Sequence, residues 1–536
     1  MHLADAGLRI CSTRLITLLH RKPLLPHSLE LSLKAASPRH NPPPTPLRSY
    51  LIHGGVLLLW AGLFAMAFRF TGVLAWSTGL VYVAYDTVLL VFVFWQTLKL
   101  ARGGVGAEGS GVEWARSGLP ASGKHSVNSR VSLGVIVAAH NEAAVLSLTL
   151  AALLAQTDVP EQIVIADDGS TDGTAELLLG LYGLRAPALG SMSAASATHP
   201  ALYWLRLPRG GKARALNAAI MQMGTDTVLT VDGDTLLEPQ AIAAVRHAFS
   251  AEPALVAATG VLAPVCSATF SGRLFQWFQT YEYIRNFLSR YAWMQLGSLL
   301  LISGAFAGFR RKALIEVGGF DADCLVEDYE LIHRLRRYAT LNGRGWTTRV
   351  LGGARARTEA PGTIGAFLRQ RQRWFGGFLQ TQYWYRDMVG DKRHGWLGLA
   401  MLPVKAVDTL QPLYGLTAFF LLLYYLFNGS LGVLAPVAGV IAAKIMIDLA
   451  FHLWSVHLYR RWAESESDTG DSNVESGKSS RSHAGFGLAL LAALAEPFTF
   501  QLLRHTGAAW GWLSFLTGQH KWGKQSRSGV FPPEPK

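Results

Sequence analysis

The stretch VLTVDGDTLL, from Val228 to Leu237, decides the fold, because an apolar run ends there at two aspartates separated by one glycine. Side chains two residues apart on an extended chain point to the same side, so the carboxylates of Asp232 and Asp234 would repel each other. An ordinary polar turn explains these residues equally well, since Asp and Gly are common in turns. The neighbouring segments decide between the two interpretations.

Two earlier segments have the same form. LGVIVAAHNE (133–142) and EQIVIADDGSTDGT (161–174) are short apolar runs that end in polar clusters and precede helix-like segments. This alternation predicts a parallel sheet with helices on both faces, whose buried strands are continuously apolar. Residues 130–385 are therefore predicted to form one α/β domain, with the Ala/Ser-rich piece 186–199 as a surface insertion.

Apolar segments flank this domain. Half of the 536 residues are hydrophobic and only 16% are charged, which is typical of a chain with a large membrane-embedded part. We predict a transmembrane hairpin at 51–98, an interfacial amphipathic helix at 396–410, and spans at 411–427 and 431–455. The block 485–518 fits either one span with an interfacial piece or a second hairpin. Lys444 and Asp448, four residues apart in one span, are predicted to pair within the bilayer.

The net charge is +13, and the basic residues cluster beside the apolar segments. This pattern indicates the cytosolic flanks of a membrane protein, so we expect no nucleic acid partner. Residues 1–50 are predicted as a basic cytosolic tail, with an organelle transit peptide as the alternative. We predict a linker at 99–129, a disordered charged loop at 458–483 and a basic C-terminal tail at 519–536. The three cysteines are too far apart for a disulfide framework or a zinc site.

Polar side chains follow three of the predicted strands. Ligands of such sheets bind beyond the carboxyl ends of the strands, where the chain would place His140, Asn141, Glu142, Asp167, Asp168, Asp232 and Asp234. A divalent cation offsets the repulsion of two close carboxylates and also holds a diphosphate. Neither a GxxxxGK[ST] loop nor a GxGxxG after the first strand is present. A nucleotide with a diphosphate leaving group therefore fits better than nucleotide hydrolysis or nicotinamide chemistry.

Two motifs place charged residues at predicted helix starts. Lys212, in RGGKARALN, is either a point charge near the phosphates or a solvated lysine. Glu327 and Asp328, in VEDYE, either cap a helix or supply a general base within reach of an acceptor hydroxyl.

The motif QRQRW (370–374) precedes the second membrane region. Gln370, Arg373 and Trp374 would lie near one another on a helix and bring together an amide, a guanidinium and an indole plane. Aromatic planes stack on sugar rings, and arginine holds phosphate through two parallel hydrogen bonds. The alternative is a basic juxtamembrane helix that contacts lipid headgroups.

AAHNE, DDGSTDGT, GKARALN, DGD, VEDYE and QRQRW occur in the order seen in membrane-embedded family 2 glycosyltransferases. These include the poly-N-acetylglucosamine, chitin, hyaluronan and cellulose synthases. The resemblance covers roughly 130–385 and implies an α/β GT-A domain, Rossmann-like and of the nucleotide-diphospho-sugar transferase type. This cytosolic domain would be inserted between transmembrane α-helices. The gating-loop motif of the cellulose synthases is not recognisable, so the sequence is more similar to the poly-N-acetylglucosamine synthase type.

The resemblance implies roles for individual residues. It assigns the general base to Asp328, with Glu327 beside it, and the metal, Mg²⁺ or Mn²⁺, to Asp234 together with Asp232. Donor binding is implied for Asn141, Glu142, Asp168, Lys212 and Asp232, with Asp168 at the uracil. It also implies that Gln370, Arg373 and Trp374 hold the donor diphosphate and the acceptor sugar at the mouth of a translocation channel.

The predicted function is that of a processive, inverting, metal-dependent β-glycosyltransferase of the inner (plasma) membrane. A UDP-sugar, with UDP-N-acetylglucosamine as the first candidate, would elongate an exopolysaccharide that the enzyme extrudes, with accessory export subunits as further partners. One alternative is a membrane glycosyltransferase that adds one or a few sugars to a lipid acceptor. Another is a transporter or lipid-binding scaffold with a degenerate nucleotide domain.

Overall fold

The structure is a computed structural model that describes residues 27–102, 130–464, 490–491 and 494–518. Residues 103–129 of the predicted linker lie outside the described residues, as do 465–483 of the charged loop and the tail 519–536. The first part of that loop, up to residue 464, is the end of a long helix.

An eight-stranded mixed sheet forms the centre of the domain, in the order β3-β2-β1-β4-β7-β6-β8-β5. The strands are β1 (Leu133–Ala139), β2 (Gln162–Asp168), β3 (Leu202–Leu207), β4 (Thr227–Asp232), β5 (Thr235–Leu237), β6 (Leu255–Val265), β7 (Phe306–Arg310) and β8 (Thr347–Glu359). Strands β1 to β4 are parallel, as predicted. Strand β7 is antiparallel to β4 and β6, and β5 is antiparallel to β8. An apolar run carries no signal for strand direction, which is why the sequence predicts only the parallel half.

Helices cover both faces of the sheet and bury its strands. They are α4 (Ala143–Leu154), α5 (Thr174–Tyr182), α6 (Lys212–Gln222), α7 (Ala241–Ala251), α8 (Phe270–Gln295), α9 (Arg311–Glu316), α10 (Glu327–Leu341) and α11 (Ile364–Trp384). Ile136 and Val164 belong to the apolar core on one face, and Val135 and Ile163 to the core on the other. Successive strand residues point to opposite faces, so burial on both faces requires a continuous apolar run.

Four of the described helices are long and apolar enough to cross a membrane. They are α2 (Leu47–Ala67), α3 (Ser77–Arg102), α12 (Leu402–Phe427) and α13 (Leu431–Glu464). The predicted interfacial helix at 396–410 is not a separate helix, because a π-helical turn at Leu397–Met401 continues directly into α12. Its place at a membrane interface stays a prediction. Lys405 and Asp408, whose charges suggested an interface, pair with each other at 2.7 Å inside this helix.

The two ends of the described chain pack on the domain. Residues 1–50 were expected to be a solvated tail, of which 1–26 lie outside the described residues. In the described part, α1 (His27–Ala36) buries Leu29, Leu33 and Ala36. In the block 485–518, the described residues form one long helix, α14 (Phe500–Leu516), with 17 residues. It is shorter than the ~20 residues that cross a bilayer. Gly511 on α14 lies against α11, where an added Cβ would come within 2.8 Å of the Phe375 Cβ atom.

Candidate active site

A cavity of about 710 Å³ begins at the carboxyl end of β4 and continues between the apolar helices. Eight of the predicted site residues line it: Lys212, Asp232, Asp234, Glu327, Asp328, Gln370, Arg373 and Trp374. Asn141, Glu142 and Asp168 follow β1 and β2 at the same edge of the sheet but are not part of this lining. The cavity therefore collects residues that are distant in sequence from four different elements.

Lys212 is the first residue of α6 and forms an ion pair with Asp232 at the end of β4. Its Nζ atom also donates a hydrogen bond to the carbonyl oxygen of Gly304, at 3.4 Å. Burial alone would lower the pKa of Lys212, but the carboxylates of Asp232, Glu327 and Asp328 raise it above its ordinary value. Lys212 is thus a fixed positive charge, as a phosphate-binding lysine must be.

Asp168 holds the loop that leads into α6. Its buried carboxylate accepts hydrogen bonds from the backbone N–H groups of Gly210, at 2.6 Å, and Gly211, at 2.9 Å, and it pairs with Arg209. This arrangement fixes the start of α6 and therefore the position of Lys212. The contact of Asp168 with a uracil base stays a prediction.

Asn141 and Glu142 make local contacts at the end of β1. The Asn141 side-chain oxygen accepts a hydrogen bond from the backbone N–H of Thr171, at 2.8 Å, which joins the loops after β1 and β2. Glu142 is buried and lies against Gly233, the residue between the two aspartates. Their predicted contacts with a donor nucleotide remain a prediction.

Asp328 is the second residue of the helix α10, and both of its carboxylate oxygens accept backbone hydrogen bonds. One oxygen accepts a hydrogen bond from the Gly304 N–H at 2.7 Å, and the other accepts one from the Tyr329 N–H at 2.8 Å. A carboxylate oxygen can accept more than one hydrogen bond, so both retain capacity for an acceptor hydroxyl. Asp328 therefore has the geometry of an oriented base at the wall of a cavity.

Glu327 precedes Asp328 and is buried. Burial raises the pKa of Glu327 to about 7; the positive charge of Lys212 opposes this shift, and the negative charge of Asp328 adds to it. Both carboxyl groups line the cavity, but the Glu327 side chain is buried and the Asp328 side chain is half-buried.

Helix α11 carries the QRQRW motif along the cavity. The side-chain oxygen of Gln370 is buried and has no hydrogen-bond partner in the part of the chain that the structure describes. Arg371, which the sequence analysis passed over, lies 4.6 Å from the ring centroid of Trp374 and forms two hydrogen bonds to Glu282, at 2.8 and 2.7 Å. Burial would raise the pKa of Glu282, but Arg371 and Arg504 hold it below its usual range.

Helix α8 contributes a polar stripe that the sequence analysis missed. Its cavity-lining polar residues are Glu282, Tyr283, Arg285, Asn286, Ser289 and Arg290. They recur at the three- and four-residue spacing of one helix face within a segment otherwise rich in aromatic residues. This spacing in TYEYIRNFLSR (280–290) is the sequence feature from which a polar helix face could have been predicted. Glu359, at the end of β8, also lines the cavity without a motif that marks it.

Charged side chains continue along the cavity between the apolar helices. Lys444 pairs with Asp448, as the spacing predicted, and with Asp86 of α3 at 2.7 Å. Glu496 pairs with Arg285 and lies 3.7 Å from Arg504. Ionisable groups inside membrane helices usually face a cavity and pair with one another, and Asp86, Lys444 and Asp448, which lie in two of the apolar helices, do both.

The carboxylates of Asp232 and Asp234 fit a hard divalent cation. Among the residues that the structure describes, no group of three or more His, Cys, Asp or Glu could hold a metal ion. Mg²⁺, however, is commonly held by one or two carboxylates with the remaining oxygens from water and substrate phosphates. The donor set therefore suits a cation that is bound together with a diphosphate.

A mixed α/β sheet whose carboxyl edge gathers acids, a lysine and an Arg/Trp helix is of the GT-A type. Residues 134–318 match the family model described as glycosyl transferase family 2, and residues 227–435 match glycosyl transferase family group 2. The chain therefore carries a glycosyltransferase family 2 domain, which confirms the fold class and the family that the motifs predicted.

The chain is also similar to individual proteins. It is 27% identical over 264 residues to a poly-β-1,6-N-acetyl-D-glucosamine synthase of Staphylococcus aureus, covering 47% of this chain and 58% of that protein. The Staphylococcus epidermidis synthase of the same name is 27% identical over 257 residues, covering 47% and 56%. Matches thus span little more than half the length of these relatives. A solved mannosyltransferase of Pyrobaculum calidifontis, in complex with GDP-Man and Mn²⁺, has 19% identity and a TM-score of 0.45, covering 77% of this chain and 99% of that one.

Proposed function

We propose that the protein is a processive, inverting β-glycosyltransferase of the inner (plasma) membrane that elongates and extrudes an exopolysaccharide. The donor is a UDP-sugar, with UDP-N-acetylglucosamine first, because the relatives it resembles are named as synthases of a poly-N-acetylglucosamine. The observation that carries the proposal is the cavity, which joins the acidic cluster to the interior of the apolar helices.

The reaction follows from the lining residues. Asp328 accepts the proton of an acceptor hydroxyl while that oxygen attacks the anomeric carbon of the donor sugar. The bond from this carbon to the diphosphate breaks on the opposite side, so the configuration inverts and UDP leaves. Lys212 and Arg373 offset the negative charge of the diphosphate. When bound by Asp232 and Asp234, Mg²⁺ or Mn²⁺ supplies further stabilisation of that charge.

The acceptor sugar lies between the base and the apolar helices. Trp374 offers an indole plane at this position, and Gln370 offers a side-chain oxygen that has no hydrogen-bond partner among the described residues. Beyond them, the paired charges of Lys444 and Asp448 give a sugar chain hydrogen-bonding groups inside the helix bundle. We propose that the domain faces the cytosol, where UDP-sugars are made, and that accessory export subunits receive the polymer.

An alternative is a membrane glycosyltransferase that adds one or a few sugars to a lipid acceptor. The apolar part of the cavity wall favours it, since Leu89 and Leu90 of α3 and Phe419 and Leu422 of α12 would accommodate an acyl or prenyl chain. This enzyme would use the same donor residues but release a product of low mass.

Product sizing separates the two functions. The purified chain in lipid nanodiscs is given a panel of radiolabelled UDP-sugars with Mg²⁺, with Mn²⁺, or with a chelator. The proposal predicts metal-dependent UDP release and a product of high mass that is insoluble in organic solvent. A single organic-soluble glycolipid would replace the proposal with the alternative, and the absence of UDP release from every donor would contradict both.

A further inference from the structure

An N-terminal arm, residues 27–46, lies on the glycosyltransferase domain although it is outside the residues 134–435 that match the family models. Its helix α1 buries Leu29 and Leu33, one turn apart, against α9. Gly318, directly after α9, has φ +89°, and a Cβ atom there would overlap the backbone nitrogen of Leu33. The arm is therefore in direct backbone contact with the domain.

Arg39 of this arm contacts two elements of the candidate active site. Its Nε and Nη2 atoms donate to the two carboxylate oxygens of Asp321, at 2.9 and 3.1 Å, and its Nη1 atom donates to Asp323 at 3.1 Å. The guanidinium also lies over the ring of Trp384, 5.5 Å from its centroid, at the end of α11. One side chain thus joins the loop before α10 to the helix that carries the QRQRW motif.

The loop 318–326 ends at the two acids of α10, and we call it the base loop. Asn217 of α6 binds it through two hydrogen bonds of 2.8 Å to the backbone of Phe320. Gln380 of α11 accepts a hydrogen bond from the Leu325 N–H at 3.1 Å. These two anchors come from elements that also supply Lys212 and Trp374, and Arg39 is a third anchor from outside the family domain.

The Asp321 carboxylate depends on Arg39. The Asp321 side chain is 1% exposed, and among the described residues Arg39 is the cation in hydrogen-bond contact with it. Its Oδ1 atom also accepts a hydrogen bond from the backbone N–H of Asp323 at 3.0 Å, which cannot replace the positive charge. A buried carboxylate that loses its cation is strongly unfavourable, so the base loop would rearrange to bring it to water. Because Asp328 follows seven residues later, such a rearrangement changes the position of the base.

We propose that Arg39 is a positioning residue: the N-terminal arm holds the base loop and thereby fixes Asp328 against the acceptor hydroxyl. This inference rests on the proposed function of the site. It assigns the arm a role in the rate of transfer rather than in donor binding, because Lys212, Asp232 and Asp234 lie on elements that Arg39 does not contact. Its contact with α11 is at Trp384, about three helical turns from Arg373. The arm continues into α2, so it also ties the base loop to the first apolar helix.

The test compares Arg39→Gln, Arg39→Lys and Lys34→Gln in the full chain in nanodiscs, with UDP-N-acetylglucosamine as donor. Lys34 is the matched control, because it pairs with Glu30 on the exposed face of the same arm. We expect Arg39→Gln to lower kcat by roughly tenfold to a hundredfold, since misplacement by about 1 Å can cost 10²-fold. The KM for the donor and the affinity for UDP should stay within about twofold. Arg39→Lys should be intermediate, because lysine cannot form the two-pronged contact.

Each outcome decides the inference. The inference is wrong if Arg39→Gln keeps the wild-type kcat per folded molecule. It is also wrong if kcat/KM falls only because the KM for the donor rises. If both Arg39 variants fail to fold while Lys34→Gln folds, the arm is a general stability element and the positioning role is wrong. If the wild-type chain transfers no sugar from any donor, the proposed function fails first, and this result is distinguishable from an effect confined to Arg39.

Discussion

Gly304→Ala tests the placement of the general base. The Gly304 N–H donates to Asp328, and a Cβ atom at this residue would lie 2.9 Å from the Asp328 Oδ2 atom and 3.1 Å from its Cβ atom. Ordinary contacts between such atoms are about 3.4 Å or longer, so the Asp328 carboxylate must move by about 0.5 Å. A displacement of about 1 Å can cost 10²-fold in rate, which gives a loss of about tenfold for half that distance.

The assay measures kcat for sugar transfer, UDP affinity by titration calorimetry, and the melting temperature. We expect kcat to fall about tenfold while UDP affinity is unchanged, because the methyl group displaces the Asp328 side chain and the backbone of Gly304, which has no positive φ, accepts an alanine. Gly345→Ala is the control, since a Cβ atom there meets no atom within 4 Å. A wild-type kcat in Gly304→Ala, with the fold intact, would refute the reasoning that Asp328 must sit where this structure holds it.

Three further predictions concern the packing of α11. Glu282→Gln leaves Arg371 without its carboxylate and should lower the free energy of unfolding by roughly 3 kcal/mol, measured by denaturant titration in detergent. Because the pKa of Glu282 is held below its usual range, the stabilisation is present above the unfolded pKa of about 4.3 and is lost as the pH falls through the lower folded value. The difference in melting temperature between wild type and Glu282→Gln should therefore shrink between pH 5 and pH 3.5, and a constant difference would contradict the assigned pair. Gly511→Ala should lower the melting temperature by forcing α14 away from Phe375, whereas Gly439→Ala, where a Cβ atom meets nothing within 4 Å, should not.

The acidic cluster was predictable in part because chain direction alone places its members on the parallel strands. Parallel strands that end in Asp168 and Asp232 must end at one edge of a sheet. Asp328 follows the antiparallel strand β7, and the family resemblance, not chain direction, indicated that it belongs to the same site. Sequence order therefore indicated which residues approach one another. It did not indicate that the loop before Lys212 donates hydrogen bonds to Asp168, because backbone N–H groups leave no trace in a sequence.

Contacts between distant segments were not predictable. Arg39 and Asp321 are 282 residues apart, and neither belongs to a motif, so a solvated tail was the simplest expectation for the arm. The pairing of Glu282 with Arg371 was missed because the sequence of an aromatic helix does not show which distant residue a charged side chain will contact. Lys405 and Asp408 suggested an interfacial helix, and the sequence did not show that they pair with each other where α12 lines the cavity.

The central claim is that Asp328 removes the proton of an acceptor hydroxyl in a cavity that also binds the nucleotide sugar. Asp328→Asn tests it most directly, because the amide keeps the size and the acceptor oxygen but cannot take up a proton. Transfer of labelled sugar and binding of UDP are measured on the same nanodisc preparation. We predict that transfer falls by at least about 10²-fold, the lower range for loss of a general base, with unchanged UDP affinity. Polymer formed by Asp328→Asn at the wild-type rate would contradict the account.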